Sequence, residues 1–100
     1  MVAVMRGDGG ELVIKVEGPL DRLATARIAS AVGDLPAAAQ LVVDFSRVDD
    51  LPDSGVAEVA RQLVGHAGVA VRGLGRHQLR LLRYCGLKLP VERHDTDEEA

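Results

Sequence analysis

The feature that most constrains the fold is a pair of short apolar runs separated by a single helical segment. Residues 41–45 and 69–71 are too short for helices and are rich in valine, which favours strands. The intervening residues 55–66 carry apolar side chains at helical spacing, namely Val56, Val59, Ala60 and Leu63. When one helix connects two strands of a sheet, the strands lie parallel and the connection is a right-handed crossover. The sequence therefore predicts an α/β domain, in which the continuous run at 41–45 is a central strand covered on both faces.

The amino-terminal part of the chain predicts a β-hairpin. Residues 2–5 are apolar, and residues 6–10 supply the Asp-Gly and Gly-Gly pairs that suit a tight turn. Residues 11–17 then alternate apolar and polar side chains, which is typical of a half-buried strand. The motif Gly18-Pro19-Leu20-Asp21 is expected to break this strand, with Asp21 as the N-cap of a first helix over residues 23–32.

The remaining segments complete the order ββαβαβα. Residues 46–52 are predicted to form a polar loop, and a third helix is expected over residues 76–84, stopped by Gly86 and burying Leu79, Leu82 and Cys85. The fold class is thus a mixed, mostly parallel sheet of four or five strands after an N-terminal hairpin, with three helices. Residues 87–94 are a candidate final strand. One domain is predicted over residues 1–94, followed by an acidic, disordered tail at residues 95–100.

Charge and composition narrow the functional classes. The net charge of −3, from 12 basic and 15 acidic residues, gives no reason to expect a polyanionic partner. Phe45 and Tyr84 are the only aromatic residues, which disfavours sites built on aromatic platforms for single-stranded nucleic acid. The lone Cys85 cannot form an internal disulfide and suits the reducing cytoplasm. No apolar stretch reaches the length of a membrane span, so direct membrane insertion is not expected.

The chemistry of most interest lies where Asp53-Ser54-Gly55 opens the second helix. A hydroxyl at this position lies beside unpaired backbone N–H groups and the positive end of the helix dipole, where a phosphate is stabilised. Phosphorylation of Ser54 would add a charge of about −1.5 to −2. A simpler interpretation is that Ser54 or Asp53 is an ordinary N-cap.

Several motifs in the correct order resemble the STAS family, which includes bacterial anti-sigma factor antagonists. Val43-Asp44-Phe45-Ser46 is similar to the family's Val-Asp-Leu-Ser strand end, and Asp53-Ser54-Gly55 to the Asp-Ser-Ser-Gly that opens its second helix. Gly18-Pro19-Leu20-Asp21 resembles the Gly-x-Leu-Asp before its first helix. Residues 68–75 (GVAVRGLG) and 79–87 (LRLLRYCGL) resemble its fourth strand and third helix. The likeness covers residues 10–90.

The resemblance implies a protein-binding regulator switched at Ser54. In the family, the residue before the glycine is phosphorylated by a serine kinase that is also the anti-sigma factor, and phosphorylation blocks their binding. The chain departs from the family pattern at Pro52, where the family has Asp, and at Asp53, where it has Ser or Thr. The partner-binding face is predicted to comprise Asp21, Asp49, Asp50, Pro52, Asp53, Gly55, Ala57, Glu58 and Arg61 around Ser54.

Another branch of the family implies a different partner. Its members are STAS subunits of bacterial lipid-transport ABC complexes and dock on the transporter's ATPase. Both branches are cytoplasmic, and both would use the same helix as the docking element. We expect a monomer or a weak dimer, because the hairpin leaves an edge strand that could pair.

An enzymatic function is the first rival. Asp44, Asp49, Asp50 and Asp53 could form a carboxylate cluster that holds Mg²⁺. A solvated loop with Asp53 as a cap accounts for the same residues. The chain also lacks a nucleophile–base spacing or a phosphate-binding glycine loop with lysine, and its histidines, His66, His77 and His94, are dispersed. We therefore expect no catalysis, no cofactor and no metal.

A basic stretch supports the second rival, which is nucleic-acid or anion binding. Residues 72–89 contain no acid, and Arg76, Arg80 and Arg83 share one helical face. The full set of bases is Arg72, Arg76, Arg80, Arg83 and Lys88. The preferred explanation of this pattern is a solvated helix face, and the second is a face that binds an acidic protein surface. No nucleic-acid partner is therefore expected.

Overall fold

The predicted order of strands and helices is confirmed in a computed structural model that describes residues 1–36, 38–66 and 68–89. The structure is α/β with an N-terminal hairpin and three helices. Residues 87–89 are not part of a strand, and the rest of the candidate final strand lies outside the described residues, as does the predicted tail. The elements are β1 Val2–Arg6, β2 Leu12–Pro19, α1 Arg22–Gly33, β3 Gln40–Asp50, α2 Asp53–Leu63, β4 Gly68–Arg72 and α3 Arg76–Tyr84.

The four strands form one mixed sheet in the order β1-β2-β3-β4. The hairpin strands β1 and β2 are antiparallel, and their turn is closed by a hydrogen bond of 2.7 Å from the Gly7 amide to the Glu11 carbonyl. Both later pairs, β2 with β3 and β3 with β4, are parallel. Because sequential parallel strands are neighbours, α1 and α2 act as the crossover connections that the sequence predicts.

Side chains alternate along the strands, so the sheet has one face that enters the core. In β3, Leu41, Val43 and Phe45 are buried, whereas Val42 and Asp44 between them are half-buried. The buried residues join apolar side chains of all three helices in a single cluster. The expectation that residues 41–45 are fully covered on both faces is not met, because Val42 and Asp44 on the other face are only half-buried.

Two strands are longer than the sequence predicts. Gly18 and Pro19 continue β2 instead of breaking it, and residues 46–50 continue β3 instead of forming a loop. The two extensions pair with each other, Gly18 opposite Val48 and Pro19 opposite Asp50, with register shifts between Lys15 and Glu17 and between Gly18 and Pro19. The pairing ends with a hydrogen bond of 2.9 Å from the Leu20 amide to the Asp50 carbonyl. This parallel pairing places the end of β2 next to the start of α2.

The aliphatic composition of the core follows from the scarcity of aromatic residues. Phe45 is its one aromatic member, and its largest fully buried side chains are Ile14, Leu20, Ile28, Leu41, Leu63 and Leu82. In α3, Leu82 is buried as predicted, whereas Leu79 and Cys85 are only half-buried. The helix ends before Gly86, whose φ of +101° is a conformation that favours glycine. Among the described helices, none is long and apolar enough to cross a membrane.

Candidate functional site

The start of α2 has no side-chain cap. The N-cap residue is Pro52, in an extended conformation, and the Val56 amide donates to the Pro52 carbonyl at 3.1 Å. Ser54 is therefore the second residue of the helix, and its side chain is exposed. The interpretation of Ser54 or Asp53 as an N-cap is wrong. The position of the cap is taken by Pro52, and the Asp53 carboxylate instead contacts Nε2 of His77 at 2.9 Å.

Gly55 holds the start of α2 close to the end of β2. A Cβ atom at this buried position would lie 2.8 Å from the Leu20 carbonyl oxygen and 3.2 Å from the Leu20 Cγ. Leu20 is itself fully buried, and its amide is bonded to Asp50. A glycine is therefore needed for the two backbones to approach so closely. The contact orients α2 so that Ser54 emerges next to the beginning of α1.

A groove of about 560 Å³ lies between α1 and α2, with Ser54 on its wall. The structure brings five of the predicted site residues together here: Asp21, Pro52, Ser54, Gly55 and Glu58. It adds six residues that the sequence did not identify: Leu20, Arg22, Thr25, Ala26, Ala29 and Gln62. The side chain of Gln62 joins the two helices by donating to the Thr25 carbonyl at 3.2 Å.

The other predicted site residues surround the groove without lining it. Ala57 and Arg61 share the outer face of α2 with Ser54 and Glu58, and the Arg61 guanidinium pairs with the Glu58 carboxylate. Asp49 and Asp50 are exposed at the end of β3. Asp21 has a structural role as well, because its carboxylate accepts from the Ala24 amide at 2.9 Å and caps α1.

The Asp44 carboxylate is hydrogen-bonded to a neighbouring residue and does not join the other carboxylates in a metal site. Its carboxylate accepts the Ser46 hydroxyl at 2.6 Å and the Ser46 amide at 2.9 Å. Both hydrogen bonds lower the pKa of Asp44 from its ordinary value of 3.8, and the bond from the hydroxyl has the larger effect. The positive charges of Lys15 and Arg72 act in the same direction. Within the described residues, no group of three or more His, Cys, Asp or Glu side chains could hold a metal ion.

The exposed side of α3 lies beside the start of α2. Arg76, His77, Arg80, Arg83 and Tyr84 are all exposed, and the Tyr84 side chain is 88% accessible. The contact between His77 and Asp53 is where this surface meets α2. The basic face predicted for α3 is thus exposed, and it adjoins the candidate site.

A larger cavity, of about 900 Å³, contains none of the predicted site residues. It is lined mainly by backbone and apolar groups at the start of β2, β3 and β4, with Arg6, Glu11, Gln40 and Lys88 as its longer polar side chains. The Ser54 groove shares no lining residue with it.

Comparison with known proteins identifies the fold. No protein-family model matches the chain, and no curated protein matches its sequence. Among solved structures, the anti-sigma factor antagonist SpoIIAA in its unphosphorylated form is similar, with a TM-score of 0.62 and 18% identity over 97% of this chain and 94% of that one. A serine-to-glutamate variant of RsbS from Moorella thermoacetica gives a TM-score of 0.53 and 18% identity, over 91% and 86% of the two chains. The STAS-like topology predicted from the sequence is confirmed at the level of fold.

Proposed function

We propose that this chain, which has the STAS fold, is a cytoplasmic protein-binding regulator whose binding is switched by phosphorylation of Ser54. The observation that carries the proposal is the exposed Ser54 hydroxyl at an uncapped helix start, on the wall of a groove between two helices. The similarity to SpoIIAA, an anti-sigma factor antagonist whose structure is of an unphosphorylated form, supports this choice among the functions that the fold could serve.

The local structure suits a phosphate that leaves the fold intact. Within the described part of the chain, the Ser54 side chain has no hydrogen bond that holds α2 in place, and the start of the helix has no side-chain cap to displace. The first-turn N–H groups and the helix dipole stabilise an added negative charge. A phosphoryl group on Ser54 would therefore change the surface of the groove without unfolding the helix.

The same phosphate would oppose a partner that binds in the groove. Asp21 and Glu58 already line the groove and Asp53 precedes Ser54, so an added charge of about −1.5 to −2 makes the surface strongly acidic. A partner surface shaped for the neutral hydroxyl meets both repulsion and a desolvation cost. A loss of about 3 kcal/mol on this account weakens binding by about two orders of magnitude.

The partner that fits this proposal is a serine kinase that also acts as the anti-sigma factor. It would dock on the groove and on the outer face of α2, where Ala57 and Arg61 flank Ser54. The chain itself would contribute a binding surface and a phosphoacceptor hydroxyl, with no catalytic group of its own.

The test begins with recovery of partners from the native host by the wild-type chain. The affinity of the identified partner is then measured for Ser54→Ala, Ser54→Glu and a control, Ser30→Glu, which adds the same charge on an exposed position of α1 that does not line the groove. We expect a small ATP-binding kinase, with binding kept by Ser54→Ala and Ser30→Glu and weakened about 100-fold by Ser54→Glu. Incubation with this kinase and ATP should place phosphate on Ser54, as mapped by mass spectrometry.

Two results would contradict the proposal in different ways. Equal affinity of all variants for the kinase would refute the switch while leaving a binding module. Recovery of a transporter ATPase, bound equally by wild type and Ser54→Glu, would identify the chain as the STAS subunit of a transport complex.

A further inference from the structure

Acidic and basic residues occupy separate stretches of the chain. Residues 49–58 contain four acids, Asp49, Asp50, Asp53 and Glu58, and no lysine or arginine. Residues 72–89 contain five bases and no acid. The structure places the two stretches side by side, since α2 packs against α3 and His77 contacts Asp53 at 2.9 Å. The acidic end, which is Asp49, Asp50 and Asp53 at the end of β3 and the start of α2, therefore adjoins the basic end, which is Arg80 and Arg83 on the exposed side of α3, whereas Glu58 lines the groove toward α1.

The basic end is a helix face that has the composition of a protein interface. Arg80 and Arg83 form no ion pair within the described residues, and both are exposed. Tyr84 lies four residues after Arg80 and is 88% accessible. Arginine and tyrosine are the residue types enriched at interfaces and at their energetic hot spots.

The acidic end also carries charge that the chain does not neutralise. Asp53 is engaged by His77, and Glu58 by Arg61. Asp49 and Asp50 are exposed and have no ion pair within the described residues. Among the described residues, Asp49 and Asp50 at the acidic end and Arg80 and Arg83 at the basic end thus carry charges without an ion pair.

We propose that this surface binds a second copy of the chain. A twofold axis near the contact of His77 with Asp53 would place the acidic end of each copy on the basic end of the other. Along α3, Arg80 and Arg83 lie about 4.5 and 9 Å beyond His77. Asp49 and Asp50 instead precede Asp53, at the end of β3 before α2 begins, so the axis would separate the two ends. A twofold interface forms both reciprocal contacts together, and it covers Tyr84.

Nucleic acid is a poorer match for the same surface. A polyanion attracted to Arg80 and Arg83 meets Asp49, Asp50 and Asp53 at the adjoining end, and the chain carries a net charge of −3. A partner that carries both acidic and basic groups can form favourable charge contacts with both ends of this surface. The inference depends on these charges and does not depend on phosphorylation of Ser54.

The test is a charge swap followed by sedimentation equilibrium of the full chain. The first variant is Arg80→Glu with Arg83→Glu, and the second is Asp49→Lys with Asp50→Lys. The control, Arg6→Glu with Arg27→Glu, changes the net charge as much as the first variant does, at exposed positions away from this surface. We expect a wild-type dimer that weakens with salt, because exposed charge pairs are screened.

Each reversal alone should raise the dimer dissociation constant at least tenfold, because it makes both reciprocal contacts repulsive. A 1:1 mixture of the two variants should dimerise again, since both contacts then join opposite charges, and the control should behave as wild type. Circular dichroism of each variant establishes that it is folded.

Three outcomes would overturn the inference. They are a wild-type chain that is monomeric at every concentration, a dimer insensitive to both reversals, and a mixture that fails to restore the dimer. Binding of a DNA duplex by a monomeric wild type, lost in Arg80→Glu with Arg83→Glu, would assign the basic end to nucleic acid instead. None of these readouts involves a kinase or phosphate, so their failure is separate from failure of the proposed function.

Discussion

Gly55→Ala tests how the start of α2 is held against the rest of the domain. The added methyl group would lie 2.8 Å from the Leu20 carbonyl oxygen, a distance that requires one of the two backbones to move. The Leu20 carbonyl is main chain and cannot swing aside as the end of a flexible side chain would, and the same residue is also held by the hydrogen bond of 2.9 Å from its amide to the Asp50 carbonyl. Relief of the clash therefore has to displace α2 or the end of β2.

Two opposing contributions set the size of the effect. Alanine is favoured over glycine in a helix interior by up to about 1 kcal/mol, and by less in the first turn. Overpacking of a well-filled site costs about 1 to 3 kcal/mol. The net expectation is a loss of about 1 to 2 kcal/mol in the free energy of unfolding. For a domain of this size, each kcal/mol lowers the melting temperature by roughly 4–8 °C.

Gly33→Ala provides the matched control. Gly33 is also helical, at the end of α1, and an added Cβ would meet nothing within 4 Å. This variant should be as stable as wild type or more stable, by up to about 1 kcal/mol. Urea denaturation followed by circular dichroism gives both free energies on one scale.

The reasoning is refuted if Gly55→Ala is as stable as Gly33→Ala, because the close approach to Leu20 would then not limit the packing. The same variant also tests the groove. A displaced α2 moves Ser54 relative to Asp21, so affinity for the partner should fall even though no polar group is lost.

Substitutions at two further positions test local contacts of the site. Asp21→Ala removes the carboxylate that accepts from the Ala24 amide and should lower the free energy of unfolding by about 1 kcal/mol, whereas Asp21→Asn keeps the cap and should cost only a few tenths; urea denaturation distinguishes them. Ser46→Ala removes the hydroxyl that lowers the pKa of Asp44, so that pKa should rise toward 3.8 in an NMR titration. The loss of stability at neutral pH should be a few tenths of a kcal/mol, because water screens this exposed pair. The pKa of Asp44 is lower in the folded state than in the unfolded state, so the stabilisation is complete at pH above the unfolded-state pKa. It disappears as the pH falls through the folded-state pKa. A difference in stability between Ser46→Ala and wild type that persists in acid would contradict the assignment.

Much of the candidate site could be predicted because its central residues form one local motif. Asp53-Ser54-Gly55 follows a strand and begins a helix, and the exposure of Ser54 follows from its place on the polar side of that helix. The groove could not be predicted, because half of it belongs to α1. The spacing of Thr25, Ala26 and Ala29 marks one side of α1 but does not say which element it faces.

Sequence patterns by themselves determined the order and type of every element in the described chain. The periods of strands and helices and the residues that cap or stop them act between neighbours a few positions apart, so they can be interpreted without the fold. The tertiary structure decided what depends on residues distant in sequence. Pairing of β2 with β3 extended β2 through Gly18 and Pro19 and β3 to Asp50. Packing of α2 on α3 brought Asp53 to His77, 24 residues away. Such contacts depend on how whole elements approach one another, and local spacing carries no information about that approach.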